Sequence, residues 1–270
     1  MMALTKVTGG LLGNLPTGTD NVAVGDTALD SITSGATDNV AIGSAAGTAL
    51  TTGTLNTFIG GLAGDAFTDA DANIAVGHQS LSSDTLGSHS IGIGFQALTT
   101  QNFTSATNVY NTAVGSFAGR LITTGDRNTL IGGLAGDAIT TGRFNTTVGY
   151  NAGTSVTTAN ANTFIGDSSG GSTTTGANNV ALGQSALNAN TTASNNTAVG
   201  SSALVVATGG GNTAFGSAAG NSITTSVNNT CIGTNADSNG TTGNGNISIG
   251  NNAQKSSITS AGQCTLVIQT

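Results

Sequence analysis

The sequence predicts an all-β protein, a parallel β-solenoid of about fourteen 17-residue coils. Three observations carry this expectation. A five-residue phrase, Asn-x-x-(Val/Ile/Leu/Phe)-Gly, returns fourteen times in near-perfect register, closing on Gly25, Gly43, Gly60, Gly77, Gly94, Gly115, Gly132, Gly149, Gly166, Gly183, Gly200, Gly216, Gly233 and Gly250. Of the thirteen intervals between these glycines, ten are 17 residues and the others are 18, 21 and 16. A fixed period of this kind means one supersecondary unit stacked on itself. Finally, no unit shows 3.6-residue apolar spacing, and 42 glycines oppose helix.

Taken in order, the chain divides into an N-terminal segment (1–20), a repeat domain (21–254) and a C-terminal capping strand (255–270). The stretch Asn111–Arg127, NTAVGSFAGRLITTGDR, states the full unit. Position 1 is Asn, position 4 Val or Ile, and position 5 Gly. Position 8 is nearly always Ala, as at Ala46, Ala63, Ala118 and Ala135, and position 9 is commonly Gly or Leu. Position 12 is often apolar, as at Ile32, Leu50, Phe67 and Ile122, and a Thr-Thr-Gly or its relative follows. Two short strands are expected per coil. The first covers positions 2 to 5, where β-branched residues favour extended backbone; the second runs around positions 11 to 14. Gly at position 5 and the Gly-x-x-Asn step between coils are turn signals. Stacked units place each Asn above the last, so an asparagine ladder is expected along one edge, its amides satisfying one another and holding register. The tail Gln263–Ile268 falls one period after Asn246 without the Gly and reads as the strand that closes the last coil.

Composition narrows the function classes. Hydrophobic residues reach 37% while charged residues are only 6%, the reverse of a disordered chain. Glycine does not fall every third residue, which excludes collagen. The net charge of −7 comes from twelve Asp against Lys6, Arg120, Arg127, Arg143 and Lys255. Five scattered cations cannot neutralise a phosphate backbone, so no nucleic acid partner is expected, and an anionic membrane surface is disfavoured for the same reason. No transmembrane run appears, and Met1 to Leu15 holds no apolar stretch of signal-peptide length. Cys231 and Cys264 lie about two coils apart. At roughly 4.7–4.9 Å per coil their sulfurs are expected to be too distant for a bridge.

One coil offers little to bury: a Val or Ile, an Ala and one further apolar residue. A turn this thin is expected to associate laterally, most simply as a homotrimer sharing a central core.

At this point a family becomes recognisable. The repeats NVAIGSAAG (Asn39–Gly47), NTAVGSFAG (Asn111–Gly119) and NISIGNNA (Asn246–Ala253) resemble the head repeats of YadA-type trimeric autotransporter adhesins. That resemblance covers about 230 residues and implies a left-handed parallel β-roll with three chains wound side by side. The usual family repeat is shorter, near 14 residues, and the extra Thr-Thr-Gly segment lengthens one turn here. The chain departs from an exported adhesin in showing no signal peptide, heptad stalk or C-terminal membrane anchor. Its opening, Met2–Thr8, looks like the start of bacteriophage tail fibre and tail spike proteins. Together these resemblances imply a structural virion fibre protein, assembled in the host cytoplasm and acting in host-cell attachment. Residues 1–20 would dock to other virion proteins, and a host cell-surface glycan or protein is a candidate partner. A capsid-attached fibre or decoration protein, a bacterial trimeric adhesin head and an ice-binding β-solenoid are the alternatives.

No enzymatic site, cofactor or metal is expected. Asp69-Ala-Asp71-Ala-Asn73 echoes the opening of a calcium loop, but Ile74 stands at the sixth place and Ser80 at the twelfth, where Gly and Glu are needed. His78 and His89 lack Cys or Glu partners at metal spacing, and Ser88, His89 and Asp84 are too close in sequence for ordinary triad geometry. For the ice-binding alternative, adjacent threonines such as Thr140-Thr141 point to opposite faces of a strand, so only one of each pair could line a surface. The irregular places are the better candidates. The 21-residue interval adds four residues near Gln101–Tyr110, and Phe103 and Tyr110 on this bulge are the candidate partner-binding residues.

Overall fold

In a computed structural model, residues 18–237, 243–254 and 266–269 are described. The chain forms two compact units, one ending at Arg127 and the other beginning at Asn128. Both are built from parallel coils, and the fold is an all-β parallel β-solenoid.

In the first unit the coil strands are β1 (Val22–Val24), β2 (Val40–Ile42), β3 (Thr57–Ile59), β4 (Ile74–Val76), β6 (Ile91–Ile93) and β8 (Thr112–Val114). Two further strands, β5 (Gly87–Ser88) and β7 (Thr107–Asn108), pair only with each other. The second unit holds β9 (Thr129–Ile131), β10 (Thr146–Val148), β11 (Thr163–Ile165), β12 (Val180–Leu182), β13 (Thr197–Val199), β14 (Thr213–Phe215), β15 (Thr230–Ile232), β16 (Ile247–Ile249) and β17 (Leu266–Ile268). Within each unit every coil strand pairs in parallel with the next at equivalent repeat positions: Val22 faces Val40 in the first unit, and Thr146 faces Thr163 in the second. β17 pairs in the same register with β16, Ile247 facing Leu266.

Every coil has a strand at positions 2 to 4, and β5 and β7 add a second one in coils 4 and 5. Among the described residues no strand forms at positions 11 to 14, where a second one was expected. Positions 6 to 11 form turns, in which the position-8 amide donates to the position-5 carbonyl and the position-12 amide to position 9, as in Ala46–Gly43 and Leu50–Gly47. Positive φ at positions 5, 7 and 9 keeps this turn segment out of extended backbone, and positive φ at position 17 bends the chain into the next strand. The backbone is satisfied between coils instead. In coil 2, the amides of Val40, Gly47, Ala49 and Thr51 donate to the following coil, while Gly43, Ala45 and Leu55 donate to the preceding one.

Gly at position 5 is dictated by that stacking. At Gly149, φ is +136°, and an added Cβ would lie 2.6 Å from the Gly166 carbonyl oxygen of the next coil. No other residue fits so close an approach.

The asparagine ladder is present, but it runs through the interior rather than along an edge. Asn56 is fully buried. Its backbone amide and Nδ2 both donate to Asn39 Oδ1 at 3.0 Å, and Nδ2 also donates to the Ala70 carbonyl at 2.7 Å. In the second unit each asparagine amide from Asn145 to Asn246 donates to the Oδ1 of the one before, at 2.9–3.1 Å.

The core beside the ladder comes from positions 3, 8, 9 and 12. Positions 3 and 9 share one space. Wherever position 9 is Leu (Leu29, Leu81, Leu98, Leu187, Leu204), position 3 is Ala or Gly (Ala23, Ala75, Gly92, Ala181, Ala198). Where position 3 is Phe, position 9 is Gly: a Cβ on Gly170 would meet the Phe164 ring at 2.6 Å. In coils 2, 6 and 12 both positions are small, as at Ala41 with Gly47, and the larger side chains of adjacent coils take up the space: a Cβ on Gly47 would meet Phe58 at 2.6 Å and Leu29 at 3.0 Å.

Candidate functional site

Strands β1 to β4, β6 and β8 to β16 turn position 3 inward and positions 2 and 4 outward, as the two-residue period requires. The sequence expectation that Val or Ile at position 4 supplies the coil's core is therefore corrected: position 3 is buried in every coil, and position 4 is half-buried or exposed in every coil. The residue types run opposite to this burial. Position 4 is apolar in all fourteen coils, from Val24 and Ile42 to Ile232 and Ile249. Buried position 3 admits Gly92, Thr147, Cys231 and Ser248, and the hydroxyls of Thr147 and Ser248 have no hydrogen-bond partner. The result is a stripe of aliphatic side chains on the outer sheet face of each unit.

Two flanks border that stripe. Position 17 precedes the strand and positions 6 and 7 follow it. In the first unit the flank before the strands carries Leu55, His89 and Tyr110, with the His89 and Tyr110 rings 5.3 Å apart. The flank after the strands carries His78, Phe95 and Phe117. The His78 and Phe95 rings stack at 5.8 Å, Phe95 and Phe117 meet edge to face at 5.2 Å, and the Arg120 guanidinium lies 5.3 Å from the Phe117 ring centre. In the second unit Phe144 and Tyr150 occupy the corresponding places in coil 8, both exposed.

The 21-residue interval is built differently from expectation. Phe103 is 9% exposed and is part of the core, so its ring is not offered on a bulge. Tyr110 is 50% exposed, but it stands at position 17 beside β8, with φ of +57°. The extra residues fold against β5 through β7, leaving Thr104, Ser105 and Ala106 exposed. Beneath them the core turns polar, because Asp84 and Gln101 take position 12 and Ser90 replaces the ladder asparagine. Gln101 repairs the ladder: Nε2 donates to Ser90 Oγ (3.0 Å) and Asp84 Oδ2 (2.6 Å), and Oε1 accepts from Asn111 Nδ2 (2.9 Å). Asp84 Oδ1 accepts from the Gly87 and Phe103 amides.

The remaining sequence candidates are dispersed. Asp84 is inside, Ser88 Oγ accepts from the Asp71 amide, and His89 rests on Tyr110, so these three do not converge. The Asp69 and Asp71 carboxylates accept from the Thr52 and Thr54 hydroxyls, and Asn73 Nδ2 donates to Asn56 Oδ1 in the ladder. His78 and His89 lie on opposite flanks. Among the described residues no group of three or more His, Cys, Asp or Glu is placed to hold a metal ion, and no helix is long and apolar enough to cross a membrane. Position-13 threonines such as Thr33, Thr51, Thr157 and Thr174 donate Oγ1 to the carbonyl of the next coil, Thr51 to Thr68 at 2.9 Å, so these hydroxyls hold the extra turn together. Cys231 is buried at an inward position. Cys264 and residues 1–17 lie outside the described residues.

Sequence reasoning missed Phe95 and Phe117, because neither lies among the inserted residues near Gln101–Tyr110. Counting ring-bearing residues per repeat position would have found them. No family model, no curated protein and no solved structure matches the chain.

Proposed function

We propose that the chain is a structural fibre protein of a virion, a phage tail fibre or similar appendage, assembled as a homotrimer of left-handed β-rolls and acting in host-cell attachment. One observation supports the assembly above others: position 4 is apolar in every coil although it faces outward. The chain's own core does not require that constancy, since its inward slot admits Thr and Ser. A second face covered by copies of the chain does require it. A scaffold with fourteen repeated coils and no convergent catalytic groups among its described residues fits a structural and binding role. In this reading residues 1–20 dock to other virion proteins, and attachment to a host glycan or protein lies elsewhere on the projecting roll.

Light scattering on the purified protein should give three chains per particle. Ile59→Lys with Ile93→Lys should release monomers that keep the wild-type circular dichroism, because both side chains are exposed in the single chain. A monomeric wild-type protein refutes the assembly. The virion role is tested by immunogold microscopy of particles carrying full-length protein or protein lacking residues 1–20. Labelling is expected with the first and not with the second; equal labelling removes the docking segment, and no labelling of either removes the virion role.

A further inference from the structure

The two flanks of the outer face vary in size together, coil by coil. Leu55 at position 17 accompanies Leu62 at position 7; His89 accompanies Phe95, Tyr110 accompanies Phe117, and Phe144 accompanies Tyr150. In coils 1, 2 and 9 to 14 both flanks carry only small or polar residues, such as Asp38 with Ser44 and Ala45, or Asn195 with Ser201 and Ser202. Coil 4 is one-sided, with Ala72 opposite His78, whose ring is covered by Phe95, and coil 7 sets the long polar Arg127 opposite Leu134.

Nothing within one chain explains this match. The rings stack along their own flank, His89 on Tyr110 and Phe95 on Phe117. Between the flanks stands a three-residue strand spanning roughly 10 Å. Two separated surfaces that change together at one level have a common partner at that level. A rotation axis along the stacking direction brings coil k of one copy beside coil k of the next, without any shift. A two-fold axis across that direction would instead pair early coils with late ones and leave no same-level match.

We infer that the position-17 flank of one copy packs in register against the position-6/7 flank of the next, with Tyr110 meeting Phe117 and His89 meeting Phe95. This rests on the homotrimeric reading and specifies it: the aliphatic stripe forms the interior, and the aromatic pairs clasp neighbouring copies at its margin. Aromatic pairs suit the task, since ring–ring contacts add directionality to burial.

The test uses the full chain with Cys231→Ala and Cys264→Ser, carrying Tyr110→Cys with Phe117→Cys, and treatment with a short bismaleimide. Covalent multimers on a denaturing gel are expected. Tyr110→Cys with Leu62→Cys, mismatched by three coil levels or roughly 14 Å, should give monomers only. Phe144→Cys with Tyr150→Cys repeats the matched case in the second unit, in case the first pair disturbs folding. Trimers by light scattering without matched cross-links, or with equal cross-linking of the mismatched pair, overturn the in-register clasp and leave the trimer standing. Monomers by light scattering overturn both. If a glycan or receptor had shaped the flanks instead, the trimer would form with both rings still open to reagents and no matched link.

Discussion

At the residue scale, asparagine at position 1 links neighbouring coils through both ends of its amide. Asn56 Oδ1 accepts from the Asn73 amide at 2.9 Å and from Asn73 Nδ2 at 3.3 Å, while its own Nδ2 serves Asn39 and Ala70. Asn56→Ala strands the buried Asn73 donors and the Ala70 carbonyl together. Unsatisfied buried groups cost about 1–3 kcal/mol each, and partial rearrangement offsets some of that, so a loss of about 2–4 kcal/mol is expected. Denaturant melts should report it, and hydrogen exchange should accelerate at the Asn73 amide before the distant coils. Asp65 offers the opposite case. It is half-buried with Oδ1 lacking a partner, and desolvation raises its carboxyl above the ordinary 3.8, against a smaller lowering by a backbone hydrogen bond. Because the folded-state value is the higher one, the folded state carries a penalty above it. That penalty is relieved as pH falls through the raised value towards 3.8. Asp65→Asn should therefore exceed the wild type in stability at neutral pH, and the gap should close on acidification; stability curves at pH 7 and pH 4 decide it.

At the element scale, the coil is a strand of three residues joined to turns whose positive-φ positions recur at fixed places. Leu187 holds φ of +54° and Gly170 holds +59°, so position 9 has one backbone conformation whichever residue occupies it. Non-glycine residues pay for that conformation with about 1–3 kcal/mol of strain, and Leu tolerates it only because its side chain fills the space beside a small position 3. Phe164→Ala should cost about 3–5 kcal/mol by opening a cavity, and Gly170→Leu alone should clash with the Phe164 ring. Together they recreate the Ala181–Leu187 pair of the next coil, and a double-mutant cycle should show favourable coupling of at least about 1–3 kcal/mol.

The same pair shows how far the sequence could be read. Period, register and the first strand were legible, because glycine and asparagine are needed at places set by backbone geometry alone; the strand stops at position 4 and not 5, since Gly there takes positive φ. The inward direction of position 3 was not. A strand whose outer residues are more consistently apolar than its inner ones inverts the usual sign of burial. The supposed second strand failed for a related reason: threonine at position 13 signals extended backbone, yet here its hydroxyl bonds the next coil's carbonyl. Phe103 was misread because its segment has no repeat partner, so burial rested on the unforeseen β5–β7 pair and on Asp84 holding its amide.

At the scale of the whole molecule, the outward stripe becomes a thermodynamic statement once copies cover it. If unfolding and dissociation are one step, mass action makes stability depend on protein concentration. A trimer gains about 0.9 kcal/mol per chain for each tenfold increase, two-thirds of RT ln 10. For a chain of this size that corresponds to roughly 2–4 °C in the unfolding midpoint. Wild-type protein melted reversibly at two concentrations tenfold apart should show this displacement. The Ile59→Lys with Ile93→Lys protein should show none, because its lysines would be buried without partners at the stripe and would keep the copies apart. Its single-chain fold should persist, since within each unit the asparagine ladder and the close-packed core use inward positions that those substitutions do not touch. A concentration-independent wild-type midpoint would mean that the stripe remains open to water, and the constancy of position 4 would then need a partner other than this chain.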